Sequence, residues 1–213
     1  MEKFQVGARQ VEIIALSPSD QDQLNAIEAF ADCFIPVDQP ASGLSPIQQN
    51  HASVVVVVRV DEEYLLLGAD LERTASTHTG WNALVASKTR PQFLASVFKV
   101  PHHGSENGQC DRVWSEMMQQ ERVAVLTPYL SSKLPRPEGI AWLKARTAGL
   151  YATNIPTAAR IKRRTEVERT IKESTAGFSG QKMPDDPGIV RFRKKAGATG
   201  AWTVEVFGDA KKL

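Results

Sequence analysis

The chain has 213 residues and a formal net charge of +2, with 42% hydrophobic and 23% charged residues. This composition is typical of a globular domain, and it excludes collagen-like, coiled-coil and mostly disordered chains. The longest apolar run covers residues 54–58, far short of the roughly 18 residues that a membrane span needs. The nearly balanced charge gives no general attraction to polyanions.

The periodicity of apolar residues predicts a first group of elements. A buried strand at 11–18 precedes a helix that Ser19 or Asp20 caps, with Leu24, Ile27, Ala31 and Phe34 at helical spacing. A loop rich in proline and glutamine follows at 36–50. Strands are then predicted at 53–60 and 64–70, joined by a turn at 61–63. The run of valines in the first of them favours a strand covered on both faces.

The second half of the chain continues the alternation of strands and helices. Helices are predicted at 80–87, 110–120 and 137–146, and strands at 95–101, 123–129 and 149–153. The charged stretch at 160–172 is predicted to be helical, and alternating runs at 188–195 and 201–208 predict a terminal β-hairpin. The fold class is therefore α/β, with one layered domain over 1–154 and an extension over 155–213.

The amino-terminal residues contain neither an apolar signal core nor a transit-peptide pattern, so a cytoplasmic location is expected. Two cysteines, Cys33 and Cys110, are too few for the disulfide framework of a secreted domain. We expect both to be free thiols.

Two adjacent histidines, His102 and His103, follow the predicted strand at 95–101 in the sequence KVPHHGS, and Asp70 ends the sequence LLLGAD after an earlier strand. Taken alone, a histidine pair is more often a surface pair than a metal site, and an aspartate after a strand is usually a cap or turn former. Together, imidazole and carboxylate are the ligands of hydrolytic zinc sites. The loops that follow strands are also where α/β domains carry their chemistry.

The order of these motifs resembles that of the metallo-β-lactamase-fold hydrolases, in particular the branch of bacterial DNA-uptake competence proteins and phosphorylcholine esterases. The shared features are Asn50 and Ser53 before a valine-rich strand, the turn that ends at Asp70, and the KVPHHGS loop. The resemblance covers residues 9–154. It implies the C-terminal half of an αββα sandwich.

The resemblance also implies roles for individual residues. Asp70 and His103 would be ligands of a divalent metal, zinc, and His102 would contact phosphate or act as general acid; the sequence alone does not order the two histidines. The remaining candidates, all for substrate binding, are Lys99, Ser105 and Asn50. The implied substrate is an ester, with phosphodiesters and nucleic acid within the class.

The chain departs from this family pattern in two ways. The main metal motif, His-x-His-x-Asp-His, is absent, and His51 and His78 stand in other contexts. The family's Gly-Asp turn is lengthened to Gly68-Ala69-Asp70. A catalytic zinc site uses three protein ligands plus water, whereas this chain supplies two or three. We therefore expect part of a metal-dependent hydrolase that is inactive alone.

Three explanations of the missing ligands stay open at this point. The N-terminal half of the site belongs to another polypeptide or has been lost, the chain is a metal-free binding or assembly subunit, or the motif interpretation is wrong. A half-sandwich would leave one sheet face exposed to water, so we expect this face to bind a complementary N-terminal half-domain or a second copy. Its residues are Val54, Val56, Val58, Leu65 and Leu67.

Overall fold

A computed structural model of the chain describes residues 1–31, 49–129, 132–154, 188–195, 197–198 and 200–213. The strands are β1 (Glu2–Val6), β2 (Arg9–Ala15), β3 (Val56–Val60), β4 (Glu63–Leu67), β5 (Ala95–Lys99), β6 (Met118–Leu126), β7 (Gly149–Ala152), β8 (Ile189–Arg193), β9 (Thr203–Phe207) and β10 (Lys211–Lys212). The helices are α1 (Asp20–Ala31), α2 (Gly80–Ala86), α3 (Asp111–Glu116) and α4 (Pro137–Lys144). Within these residues, no helix has the length and apolar character to cross a membrane.

Eight strands form one mixed sheet in the order β1-β2-β3-β4-β5-β6-β7-β10, and β8 pairs with β9 in a separate hairpin. Strands β1 to β4 pair antiparallel, and β10 pairs antiparallel with β7. Strands β4 to β7 pair in parallel, and α2, α3 and α4 lie in their connections. The predictions of a mixed α/β fold and of a terminal β-hairpin are confirmed.

The helices cover one face of this sheet. Leu66, Phe98, Ala124 and Leu150 lie side by side on that face and are at most 2% exposed. The ring of Phe98 makes edge contacts with the tryptophans of two helices, at centroid distances of 6.3 Å to Trp81 and 5.2 Å to Trp114. These rings therefore join the helices to the sheet in the core.

Among the residues that the structure describes, no helix covers the opposite face, which is called the open face below. Its residues are Ile13, Val56, Val58, Leu65, Leu67, Val97, Lys99, Val123, Val125 and Tyr151. Ile13 and Leu67 are 38% and 39% exposed, and Val54, which precedes β3, is also exposed. Val56, Val58 and Leu65 are half-buried. The valine-rich strand is therefore fully covered on one face only, whereas its composition had indicated cover on both.

The hairpin of β8 and β9 packs over part of the open face. Trp202 Nε1 donates to Ser96 Oγ at 2.9 Å, and the Lys194 ammonium pairs with Glu63. The ring of Phe192 meets Tyr151 edge-on at a centroid distance of 6.2 Å. A groove of about 1460 Å³ lies between the hairpin and the sheet.

Several element boundaries differ from the sequence prediction. Residues 118–120 were expected to end a helix but begin β6, because Met118 pairs with Ala95. The register of the β5–β6 pairing shifts between Ala95 and Val97. Strands β1 and β10 were not predicted, and the turn between β3 and β4 contains only Asp61 and Glu62. Cys110 is a buried free thiol. Three predictions fall outside the described residues. They concern Cys33, most of the loop at 36–50, and the charged helix at 160–172.

Candidate functional site

The carboxyl ends of the parallel strands β4, β5 and β6 meet at one edge of the sheet. Asp70 follows β4, His102 and His103 follow β5, and Thr127 and Tyr129 follow β6. Open α/β sheets bind ligands at this edge, since the loops there combine a rigid origin with access to solvent. The topology thus brings together the two motifs that the sequence analysis singled out.

Backbone hydrogen bonds join the loop after β4 to the loop after β5. Gly68 N–H donates to the Lys99 carbonyl at 3.0 Å, and His102 N–H donates to the Ala69 carbonyl at 3.0 Å. A Cβ atom on Gly68 would lie only 2.8 Å from the Lys99 carbonyl oxygen, so glycine is required for this close approach. The two loops therefore form one connected frame.

Left-handed backbone is concentrated in this frame. Ala69 has φ of 46°, and the consecutive residues His102, His103 and Gly104 have φ of 43°, 55° and 76°. Each non-glycine residue in this region costs about 1–3 kcal/mol, and such strain clusters at functional sites. The loop after β5 thus carries two successive histidines whose backbone is strained.

His103 is oriented by the strand end beside it. Its Nδ1 lies 2.7 Å from the Thr127 carbonyl oxygen, which only accepts hydrogen bonds, so Nδ1 carries the proton and donates it. The ring stacks on Tyr129 at a centroid distance of 5.0 Å. Nε2 is then the nitrogen with a lone pair, and it lies 3.9 Å from Asp70 Oδ1. Such a bond from the second ring nitrogen to a carbonyl is common for metal-binding histidines.

His102 has different neighbours. Its Nδ1 lies 3.2 Å from Glu72 Oε1, and the same carboxylate oxygen accepts a hydrogen bond of 2.7 Å from Asn50 Nδ2. The two histidine rings are 6.4 Å apart between centroids. Asn50, one of the predicted substrate-binding residues, and His102 thus contact the same carboxylate oxygen of Glu72.

The other two predicted substrate-binding residues lie at the margins of the same loops. Lys99 Nζ donates to the Val100 carbonyl at 3.1 Å. Burial lowers the pKa of Lys99 below its usual value, and the negative charge of Asp70 opposes part of that effect. Ser105 is buried, and its hydroxyl donates to Asn107 Oδ1. The structure therefore brings Lys99 close to the carboxylate of Asp70, while the Ser105 hydroxyl is engaged within its own loop.

Three residues of this edge were not identified from the sequence: Glu72, Thr127 and Tyr129. Glu72 stands two positions after Asp70 without a motif of its own. Thr127 acts through its backbone carbonyl, which leaves no signal in the residue type. Of the remaining histidines, His78 is exposed away from the site, and the side chain of His51 lies outside the described residues.

Asp70 and His103 fit a divalent cation as part of a ligand set. Two zinc ligands at about 2.0–2.2 Å in tetrahedral geometry lie about 3.4 Å apart, so the observed 3.9 Å between Asp70 Oδ1 and His103 Nε2 needs only a small adjustment. Among the residues that the structure describes, however, no group of three or more His, Cys, Asp or Glu side chains is placed to hold a metal.

Comparison of the chain with protein-family models, with curated proteins and with solved structures found no match.

Proposed function

We propose that this chain provides part of the active site of a metal-dependent hydrolase of the metallo-β-lactamase fold, and that Asp70 and His103 are its contribution to a zinc site. The observation that carries the proposal is the orientation of His103. Its Nδ1–H is committed to the Thr127 carbonyl, and its Nε2 faces Asp70 Oδ1 at 3.9 Å. The geometry favours His103 over His102 as the ligand because His102 has Glu72 as its neighbour instead.

The chemistry that a bound zinc ion would supply is a hydroxide nucleophile at neutral pH, since zinc lowers the pKa of water toward about 7. The chain's own residues bind and orient. Asp70 and His103 hold the cation, and Lys99, whose ammonium interacts with Asp70, attracts an anionic ester such as a phosphodiester. The substrate-facing nitrogen of His102 would take up the proton that the attacking water loses and give it to the departing oxygen. Nucleic acid is one substrate of this class.

Two protein ligands are fewer than the three that a catalytic zinc site uses, so the chain alone is inactive and the rest of the site comes from a complementary half-domain. The exposed part of the open face supports this proposal, since an apolar surface of this kind marks an interaction site. The same surface also supports a second candidate function, that of a metal-free assembly subunit.

Zinc binding by the full chain separates the two candidates. We expect the wild-type chain to bind one zinc ion weakly in isothermal titration calorimetry, and Asp70→Ala and His103→Ala each to weaken binding at least about tenfold, since each removes one of two ligands. His78→Ala, which changes an exposed histidine away from the site, is the matched control and should bind zinc like the wild type.

Failure of the wild type to bind zinc, or equal binding by His103→Ala and His78→Ala, would overturn the metal site and favour the assembly subunit. If the purified chain alone hydrolyses a chromogenic phosphodiester and Asp70→Ala abolishes this activity, the claim that the chain has too few metal ligands to act alone is wrong. Hydrolysis that requires the protein encoded immediately upstream would support the divided site.

A further inference from the structure

Glu72 lies at the centre of a short polar chain that the proposed hydrolytic chemistry does not itself use. Its Oε1 accepts from Asn50 Nδ2 at 2.7 Å and lies 3.2 Å from His102 Nδ1. The His102 side chain is only 21% exposed, and its Nδ1 is buried. The geometry of the 3.2 Å contact with Glu72 is not that of a hydrogen bond, so Nδ1 has no hydrogen-bond partner among the described residues. A buried ring nitrogen beside a carboxylate is favourable only when it carries a proton directed at that carboxylate.

Two hydrogen bonds hold the peptide group that joins Glu72 to Arg73. The Glu72 carbonyl accepts from Trp81 N–H at 3.0 Å, and the next residue, Arg73, donates its N–H to the Asn107 carbonyl at 2.6 Å. The first bond ties Glu72 to the start of α2, and the second ties it to the loop that carries both histidines. A side chain on such a frame can define the orientation of its neighbour.

His102 is itself in a conformation that few residues adopt. Its φ of 43° would be relieved by a change in the loop, and its N–H bond to the Ala69 carbonyl at 3.0 Å opposes such a change. The contact with Glu72 adds a constraint on the ring, which the backbone alone does not orient.

We propose that Glu72 is the positioning residue for His102: its carboxylate holds the proton on Nδ1 and leaves Nε2 as the nitrogen available to substrate, while Asn50 fixes the carboxylate. Asn50 is then a support for Glu72 rather than a substrate ligand. The inference rests on the proposed role of His102 in hydrolysis, although the orientation of the ring is measurable without any substrate.

The test reads the tautomer of each histidine in the full chain by long-range ¹H–¹⁵N NMR, with His102→Gln to assign the signal. At about pH 8, where an unperturbed histidine is neutral, wild-type His102 should be in the Nδ1–H form. Glu72→Ala should shift it to the Nε2–H form that free histidine prefers, and Asn50→Ala should give a mixture. Glu106→Ala, an exposed glutamate in the same loop, should leave the tautomer unchanged.

Nδ1–H that persists in Glu72→Ala, or a wild-type ring already in the Nε2–H form, would overturn the positioning role. If Glu72→Ala does not fold, Glu72→Leu serves instead, because it removes the acceptor and keeps most of the side-chain volume; it should also raise the Nε2–H fraction, and an unchanged tautomer there would equally overturn the role. Zinc binding should stay at the wild-type level in the folded Glu72 variant. A change of tautomer together with no zinc binding in any form would contradict the proposed function while leaving the positioning role intact.

Discussion

A single glycine at the start of α2 determines where Glu72 can lie. Gly80 has φ of 58°, and a Cβ atom on it would lie 2.1 Å from the Glu72 carbonyl oxygen. Its N–H also donates to the buried carboxylate of Asp22 at 2.9 Å, which links α1 to α2. The glycine therefore meets two requirements, a left-handed backbone and close contact with the residue that orients His102.

Gly80→Ala should lower the free energy of unfolding more than an alanine at a left-handed glycine in open space. Gly197 provides the control, since its φ is 67° and no atom lies within 4 Å of a built Cβ. Gly197→Ala should cost about 1–2 kcal/mol from the backbone alone. Gly80→Ala should cost at least about 1 kcal/mol more, because the Glu72 backbone must move. Urea denaturation measures both, and equal losses would show that the contact is relieved without cost.

The sequence could predict the pairing of Asp70 with the histidine loop but not the part played by Glu72. Asp70 and His103 follow neighbouring parallel strands, and the periodicity of those strands is readable, so their convergence follows from topology. The approach of Glu72 to His102 depends instead on left-handed residues such as Ala69 and on the packing of the two loops. No local pattern of residue types encodes that packing.

At the scale of secondary structure, α1 shows how far periodicity goes. The helix was predicted with Ser19 or Asp20 as its cap, and Asp22 N–H donates to Ser19 Oγ at 3.1 Å. The buried residue of the helix is nevertheless Asp22, while Leu24 and Ile27 are 53% and 63% exposed. Periodicity identifies a helix with an apolar side, but it does not say what that side contacts. The short strand β1 went unpredicted because all of its residues are exposed.

A ladder of charges joins the three strands at the β1 end of the sheet. Glu12 of β2 lies opposite Lys3 of β1 and opposite Arg59 of β3, with contacts of 2.8 Å to Lys3 Nζ and 3.6 Å to Arg59 Nη1. The hydrogen bond from Lys3 lowers the pKa of Glu12 below its usual value, and the positive charges of Lys3 and Arg59 act in the same direction against the effect of burial.

Glu12 should therefore make stability depend on pH in the acid range. A carboxylate with a lowered folded-state pKa stabilises the protein fully above its unfolded-state pKa, and this contribution is lost as the pH falls through the folded-state pKa. Wild type should be more stable than Glu12→Gln at neutral pH, and the difference should shrink below about pH 4.5, the usual pKa of a glutamate side chain. Urea denaturation over this range measures it. Glu28→Gln, on the exposed side of α1, should show no such change, and a pH-independent difference for Glu12→Gln would contradict the ladder.

At the scale of the whole molecule, the sheet is covered unequally. Helices bury one face, whereas the hairpin covers only part of the open face and leaves Ile13 and Leu67 more than a third exposed. The composition of the strands predicted an apolar face in need of a partner. It could not predict that the chain's own C-terminal hairpin covers part of it, because that contact depends on residues such as Trp202 and Phe192, which are distant in sequence from the sheet.

The uncovered part of the open face should govern association. We expect the chain to self-associate with increasing concentration in analytical ultracentrifugation. Where it stays monomeric, we expect the uncovered part of the open face to bind an apolar fluorescent dye. Burial of one leucine side chain is worth about 1.5–3 kcal/mol, so Leu67→Lys should weaken self-association about tenfold or more, and it should also reduce dye binding.

Ile189→Lys is the control for this experiment, since Ile189 is also an exposed apolar strand residue, but it lies on the hairpin rather than on the open face. Ile189→Lys should behave like the wild type. A folded wild-type monomer that binds no dye at any concentration would mean that the exposed leucine and isoleucine need no cover. The open face would then be an ordinary surface of the molecule, and the case for a complementary half-domain would rest on the ligand shortage at Asp70 and His103 alone.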